Sequence, residues 1–381
     1  MYKRQGPDIS HGITVGDLDV DGDLDVIVNR LGSPAALLRN ESTTPRIAVQ
    51  LRGSGGNTRG IGANVRLLGA EPEQSKQMTA GGYYLSSPQP QIAFAAVGDG
   101  PYRLVVEWPS GAVSIVEDAQ PDRLYEVYES GATVGAAAAP PPASTGLSAD
   151  RVPLFDDATA RLGHNHVETE FNDFARQPLL PHRLSQLGPG VTWTDIDDDG
   201  DPDLLIPSGV GGALGIMRND GGAFTALEGP AATSFDQTTV LPLPGGLLIG
   251  QSNHEATDAQ QARSLASAVS VSLAGGRPGP ARAGLAGDAG TVGALAAADL
   301  DGDGALEVLA AARAFPVAYP TAPASRIFRR TGDGWQVDEP LSMPLAGAGR
   351  VSGAVFTDLD DDGDADLALA TDWGPVRIYR N

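Results

Sequence analysis

The sequence predicts an all-β protein, built from repeated short-stranded units and one compact β domain. Three observations carry this. Gly (49) and Pro (29) are abundant in a chain of 381 residues, which suits many short strands joined by tight turns. An Asp-rich stretch of nine residues recurs four times, each time between apolar segments. No apolar run approaches the roughly 18 residues that a membrane-crossing helix needs.

The recurring stretches are "DLDVDGDLD" (17–25), "DIDDDGDPD" (195–203), "DLDGDGALE" (299–307) and "DLDDDGDAD" (358–366). All fit Asp-x-Asp-x-Asp-Gly-x-x-Asp/Glu, and the apolar runs "VIV", "LLI", "VLA" and "LALA" follow them. Carboxylates at positions one, three and five converge when the chain curls around a small centre. Glycine at position six permits the turn. Position seven can offer its backbone carbonyl, so Ala305 is tolerated there, and an acid at position nine closes the shell. Hard oxygen donors in this number suit Ca²⁺, which takes six to eight oxygens at about 2.3–2.6 Å. The cation would also offset the repulsion among the carboxylates. The candidate ligands are Asp17, Asp19, Asp21, Asp23 and Asp25; Asp195, Asp197, Asp199, Asp201 and Asp203; Asp299, Asp301, Asp303, Ala305 and Glu307; and Asp358, Asp360, Asp362, Asp364 and Asp366.

An EF-hand would need Glu at position twelve, where Val28, Ile206, Ala310 and Leu369 stand. The flanks "GVTWTDI" and "AVFTDL" read as strands, so the loops are expected in β-hairpins. Mg²⁺ suits such flexible all-protein cages less well. A second repeat follows the loops. "ALLRN", "GIMRN" and "RIYRN" end at Asn40, Asn219 and Asn381, whereas the third unit has "RIFRR" with Arg330 in that place. "GGAF" and "GDGW" then supply a turn and an aromatic residue. Each unit reads as one β-propeller blade, with strands too short to be stable alone. A blade without an acidic loop is expected between the second and third loops, with "TTVLPLPGGLLIGQSN" (238–253) as its hairpin.

These loops resemble the FG-GAP or VCBS repeats of integrin-type β-propellers. Between the first two loops, "RGIGA" (59–63), "GGYYLSS" (81–87) and "WPSG" (108–111) resemble an ASPIC/UnbV domain over about 44–130. The order of propeller followed by ASPIC/UnbV domain is similar to the cartilage acidic protein family and its bacterial relatives. The resemblance implies an exported calcium-binding protein and implies no reaction. The expected organisation is the tail of a first propeller at 1–43, the β domain at 44–130, an Ala/Pro linker at 131–150, a lead-in segment at 151–190 and a second, incomplete propeller at 191–381. The start "MYKRQGPDIS" lacks the apolar core of a signal peptide. It leads almost at once into an acidic loop, and the chain stops at "RIYRN" partway through a blade, so the natural chain is expected to extend beyond both ends.

Within 44–130, "RIAVQL", "NVRLL", "YRLVVEW" and "AVSIVED" read as strands, and "WPSG" as a hairpin turn. "RGIGA" lacks the third glycine and the helix of a dinucleotide-binding turn, so it reads as a tight turn. "GATVGAAAAPPPASTG" has nothing to bury. In the lead-in, His164, His166, Glu168 and Glu170 alternate and would share one face of an extended strand. With His182 or Asp173 they could hold Zn²⁺ or Fe²⁺, or they could anchor the lead-in by hydrogen bonds. His11 and His254 look isolated. Leu179, Leu180, Leu184 and Leu187 are expected to pack on the blades, and the four tryptophans to be core or turn residues.

The formal charge of -22 argues against nucleic-acid binding. With no cysteine there is no disulfide, zinc–thiolate site or thiol nucleophile. No GxSxG, HExxH or Walker A stretch occurs. The expected function is adhesion or recognition of a glycan or protein outside the cell, in the periplasm or at the cell surface, with structural Ca²⁺. The alternative is a hydrolase or lyase with its metal at the His-rich lead-in. A purely structural scaffold is the third reading.

Overall fold

The computed structural model describes residues 10–381 apart from 31–32, 82, 84, 135–154, 288–289, 333 and 361. The expected linker at 131–150 lies almost wholly outside the described residues, as do residues 1–9. The described chain is β-rich, with only short helices, and none of its helices is long and apolar enough to cross a membrane.

Five antiparallel sheets follow one another. The first contains Ser10–Gly16, Asp25–Arg30, Ala36–Asn40 and Phe155–Asp157; the second contains Thr192–Thr194, Asp203–Ile206, Gly215–Asp220 and Ala223–Leu227. The third is built on Gln237–Leu243, Gly246–Gln251 and Ala268–Ala274. The fourth is Thr291–Ala298, Glu307–Ala314, Arg326–Thr331 and Gly334–Val337, and the fifth is Arg350–Thr357, Asp366–Asp372 and Arg377–Tyr379. The loop-free hairpin expected at 238–253 is the start of the third sheet.

Successive sheets share apolar cores. Leu18, Ile27 and Leu37 of the first meet Trp193, Leu204 and Ile206 of the second. Ile216 of the second meets Val240 and Ile249 of the third, Leu248 of the third meets Val308 of the fourth, and Leu309 of the fourth meets Val351 and Leu369 of the fifth. Central strands are thus covered on both faces, which explains why "TVGALAAA" (291–298) shows no alternation and is buried at every position. Its alanines allow close approach of the neighbouring sheets. Gly16 serves the same end, because a Cβ there would lie 2.7 Å from the buried Trp193 ring.

Residues 10–40, read from sequence as part of a separate first propeller, are the first member of this series. Their fourth strand is Phe155–Asp157, paired antiparallel with Leu38–Asn40 across the whole intervening domain. A pairing over more than a hundred residues leaves no local trace in the sequence.

The inserted domain packs two sheets face to face. One has Arg46–Arg52 between Arg123–Tyr128 and Gln91–Ala95; the other is centred on Tyr102–Glu107, Asn64–Leu68 and Ala112–Ala119. Ile47, Val49, Phe94, Leu104 and Trp108 fill the core between them. "WPSG" forms the expected turn, closed by the Gly111 N–H on the Trp108 carbonyl at 2.8 Å. "RGIGA" is a tight turn: Asn57 brackets Ile61 through two hydrogen bonds of 2.7 and 2.8 Å. Gly60 has φ +61°, and a Cβ there would meet Leu51 and Trp108 at 2.9 Å.

From this domain, Gln77, Ala80 and Ser87 reach the first strands of all five sheets. Ser87 pairs with Thr192, accepts from Thr14 Oγ1 at 2.7 Å and donates to the Val240 carbonyl at 3.3 Å. Ala80 pairs with Ala297, and the Gln77 amide meets the Thr357 hydroxyl.

Candidate metal centres

Each acidic loop closes a hairpin in the same register. Gly16 pairs with Asp25, Thr194 with Asp203, Ala298 with Glu307 and Thr357 with Asp366. The position-six glycine has φ between +85° and +98° in all four loops. Its N–H donates to the position-one carboxylate at 2.9–3.0 Å: Gly22 to Asp17, Gly200 to Asp195, Gly304 to Asp299 and Gly363 to Asp358. The position-seven N–H donates to the position-five carboxylate at 2.7–3.1 Å, from Asp23, Asp201, Ala305 and Asp364 to Asp21, Asp199, Asp303 and Asp362.

These bonds gather carboxylate oxygens. Asp17, Asp19 and Asp21 offer oxygens within 4.8 Å of one another, as do Asp195, Asp197 and Asp199, and Asp299, Asp301 and Asp303. In the fourth loop Asp358 and Asp360 are joined by Asp366. Asp19 Oδ1 and Asp197 Oδ1 are buried without a hydrogen-bond partner. A cation at the centre would satisfy them, so the residues present fit a hard divalent ion.

The ninth-position acid, expected as a ligand, joins the carboxylate cluster only as Asp366 in the fourth loop; Asp25, Asp203 and Glu307 stand outside the clusters. Asp25 takes the Leu18 N–H at 2.9 Å and the Asn40 N–H at 2.6 Å; Asp203 takes those of Ile196 and Asn219, both at 2.8 Å. Asp366 does the same with Leu359 and Asn381. It therefore clamps three strands of its sheet. Burial pushes Asp25 and Asp203 up to about 7, and Asp17 and Asp23 up to about 6.

The "RN" repeat is explained by the neighbouring sheet. Asn219 Nδ2 donates to the Leu18 carbonyl in the first loop at 2.8 Å, and Asn381 Nδ2 to the Leu300 carbonyl in the third loop at 2.7 Å. These two asparagines stitch their own sheets to the loop of the preceding one, whereas Asn40 donates to Leu24 of its own loop at 3.4 Å. The fourth sheet follows the loop-free third, so Arg330 has no loop to reach, and it lies over the Trp335 ring instead. The arginine of the pair also has a partner: Arg39 meets Asp19 at 2.5 Å, Arg329 meets Asp301 at 2.5 Å and Arg380 meets Asp360 at 2.7 Å. The inserted domain braces the first loop through Gln89, which accepts from the Asp17 N–H at 2.6 Å, and through Arg46 against Asp23.

In the His-rich lead-in His164, His166 and Glu168 turn inward between exposed neighbours, as the alternation predicts, whereas Glu170 is exposed. Residues 166–172 run without strand pairing. Asp173 is fully buried and accepts from Leu184 N–H at 2.8 Å, Ser185 N–H at 2.9 Å and Ser185 Oγ, with His254 Nε2 at 3.0 Å. Burial opposes its charge, but these partners, His254 and Ser185 foremost, hold its carboxyl well below the usual range. His254 is thus not isolated. Leu180, Leu184 and Leu187 pack against Ala314 as expected, but Leu179 is 91% exposed because its side chain falls outside that cluster. Trp108 and Trp193 are core residues, and Trp373, 80% exposed, lies in a turn.

Glu168 alone of the alternating set joins an acidic group, with Asp236 and Glu255, whose oxygens also lie within 4.8 Å of one another. Burial and the neighbouring carboxylates, Glu168 first among them, push Asp236 up to about 8 and Glu255 up to about 7. Asp236 and Glu255 carry no spacing signal and escape a reading of the sequence. Burial, with His166 beside it, pushes His164 down to about 4.

No curated protein matches the chain. Residues 53–134 match the family described as ASPIC and UnbV. The compact two-sheet domain inserted between the third and fourth strands of the first sheet is therefore an ASPIC/UnbV domain.

Proposed function

We propose that this chain is an exported calcium-binding protein whose five sheets are β-propeller blades of the FG-GAP or VCBS type, and that it recognises a glycan or protein. The observation that carries the calcium reading is the fourfold loop geometry. Glycine and position-seven N–H groups hold carboxylates into a cluster, and buried oxygens of Asp19 and Asp197 still lack a partner. Ca²⁺ would be bound there by Asp17, Asp19 and Asp21 and their equivalents, and it would supply charge neutralisation to the hairpins. Extracellular or periplasmic calcium would fill such sites at even modest affinity. Recognition fits a calcium-held scaffold that the ASPIC/UnbV domain braces through Gln77, Ala80 and Ser87.

The test is retention on a glycan and protein array, with the chain loaded with calcium and then stripped with EDTA. Calcium-dependent retention without turnover is expected. Turnover of a retained sugar would instead favour the hydrolase or lyase reading, and retention that ignores EDTA would separate recognition from calcium.

A further inference from the structure

We propose that Glu168, Asp236 and Glu255, with His166, form a fifth cation site that takes one divalent ion of the Mn²⁺, Fe²⁺ or Zn²⁺ class. It lies at the end of the sheets opposite the aspartate loops. Asp236 immediately precedes Gln237–Leu243 and Glu255 follows Gly246–Gln251, so both stand at the open end of that hairpin. Glu168 arrives from the lead-in, which is held against the second sheet by the Gly209 N–H on the Val167 carbonyl at 3.0 Å.

Three separate chain segments thus bring three carboxylates within 4.8 Å of one another. Arg176 is the attractive charge at Glu255, but its guanidinium donates to the carbonyls of His254 at 2.5 Å and Glu255 at 3.5 Å. It also stacks on Phe171, 4.6 Å from the ring centroid. The second, independent observation is His166. Its side chain is wholly buried, neither ring nitrogen has a hydrogen-bond partner, and Nε2 points at Glu168 Oε2 from 3.6 Å. A buried imidazole without a partner is costly in a folded protein. A cation between it and the carboxylates would satisfy it.

The surroundings are shaped for this arrangement. A Cβ at Gly209 would lie 2.3 Å from Glu168 Oε2, so glycine there leaves room for the carboxylate. The Val210 N–H donates to Asp236 Oδ1 at 3.1 Å, which orients that ligand. Glu255 Oε1 is buried and has no hydrogen-bond partner. Three carboxylates with one imidazole select transition-series ions over Ca²⁺, which prefers an all-oxygen shell of six or more donors. A bound ion would pin the lead-in to the junction of the second and third sheets.

The experiment is Mn²⁺ titration of the full chain in millimolar calcium, followed by electron paramagnetic resonance. The aspartate loops hold no imidazole and lack Glu168 and Glu255, so nitrogen coupling and the response to those two variants identify this site whether or not calcium fills the loops. One Mn²⁺ per chain is expected to remain bound, with nitrogen hyperfine coupling from an imidazole. Glu168→Gln and Glu255→Gln, each checked for an unchanged melt in calcium, are expected to weaken Mn²⁺ binding by about tenfold or more. His166→Ala is expected to abolish the nitrogen coupling. No calcium-resistant Mn²⁺, or calcium-resistant binding that both Gln variants leave unchanged, would overturn the proposal.

Discussion

Asn219→Ala probes the stitch between sheets. Asn219 is fully buried; its Nδ2 donates to the Leu18 carbonyl at 2.8 Å and its Oδ1 accepts from the Gly222 N–H at 2.8 Å. Alanine leaves an acceptor in the first loop and a donor in the second sheet without their partner. Each unsatisfied buried group costs about 1–3 kcal/mol, so the variant should lose roughly 2–6 kcal/mol. Asn219→Asp keeps the acceptor for Gly222 but turns a second oxygen toward the Leu18 carbonyl, so it should lose about as much. Asn381→Ala removes the equivalent bond from an exposed residue and should lose about 1 kcal/mol or less. Arg330→Ala, at a site with no loop to reach, should cost under about 1 kcal/mol, the value of an exposed cation–π contact. Urea unfolding followed by circular dichroism ranks the four. An Asn219→Ala midpoint equal to that of Arg330→Ala would refute the stitching argument.

Gly200 has φ +98°, and a Cβ added there would meet nothing within 4 Å, so Gly200→Ala carries only the backbone cost of about 1–2 kcal/mol; calorimetric titration should also show weaker calcium binding. Trp193→Ala empties the core between the first two sheets and should cost about 3–5 kcal/mol by urea unfolding. Asp25, Asp203, Asp17 and Asp23 have raised values, so the metal-free folded chain binds more protons than the unfolded one. With Asp236 raised furthest, its stability should therefore fall as pH rises from about 4 to about 8 and then level off, and melts across that range should show it. Asp173 has the opposite sign: its contribution is present above the ordinary aspartate range and lost as pH falls below it. Asp173→Asn should flatten that acid limb, as acid-unfolding curves would reveal.

The acidic loops are legible in the sequence because their geometry is local. Glycine at a positive φ and carboxylates at fixed offsets follow from nine consecutive residues, and the hairpin register simply extends them. Asn40, Asn219 and Asn381 are visible as a repeat, but the partners of Asn219 and Asn381 are not, because Leu18 and Leu300 lie 201 and 81 residues away in sequence. The joining of Phe155–Asp157 to Ala36–Asn40 is hidden for the same reason. The alternation of the lead-in is legible as far as Glu168: His164, His166 and Glu168 turn inward without strand pairing over 166–172, whereas Glu170 is exposed. Asp236 and Glu255 stand alone in sequence and acquire meaning only when the ends of one hairpin meet Glu168.

The central claim is that the four aspartate loops are calcium sites that hold the sheets. The direct measurement is the melting temperature of the chain in EDTA, then with calcium or magnesium restored. Each site should add about 2.7 kcal/mol when free calcium is a hundred times its dissociation constant, so a large, calcium-selective rise is predicted. No rise, or an equal rise with magnesium, would contradict the account.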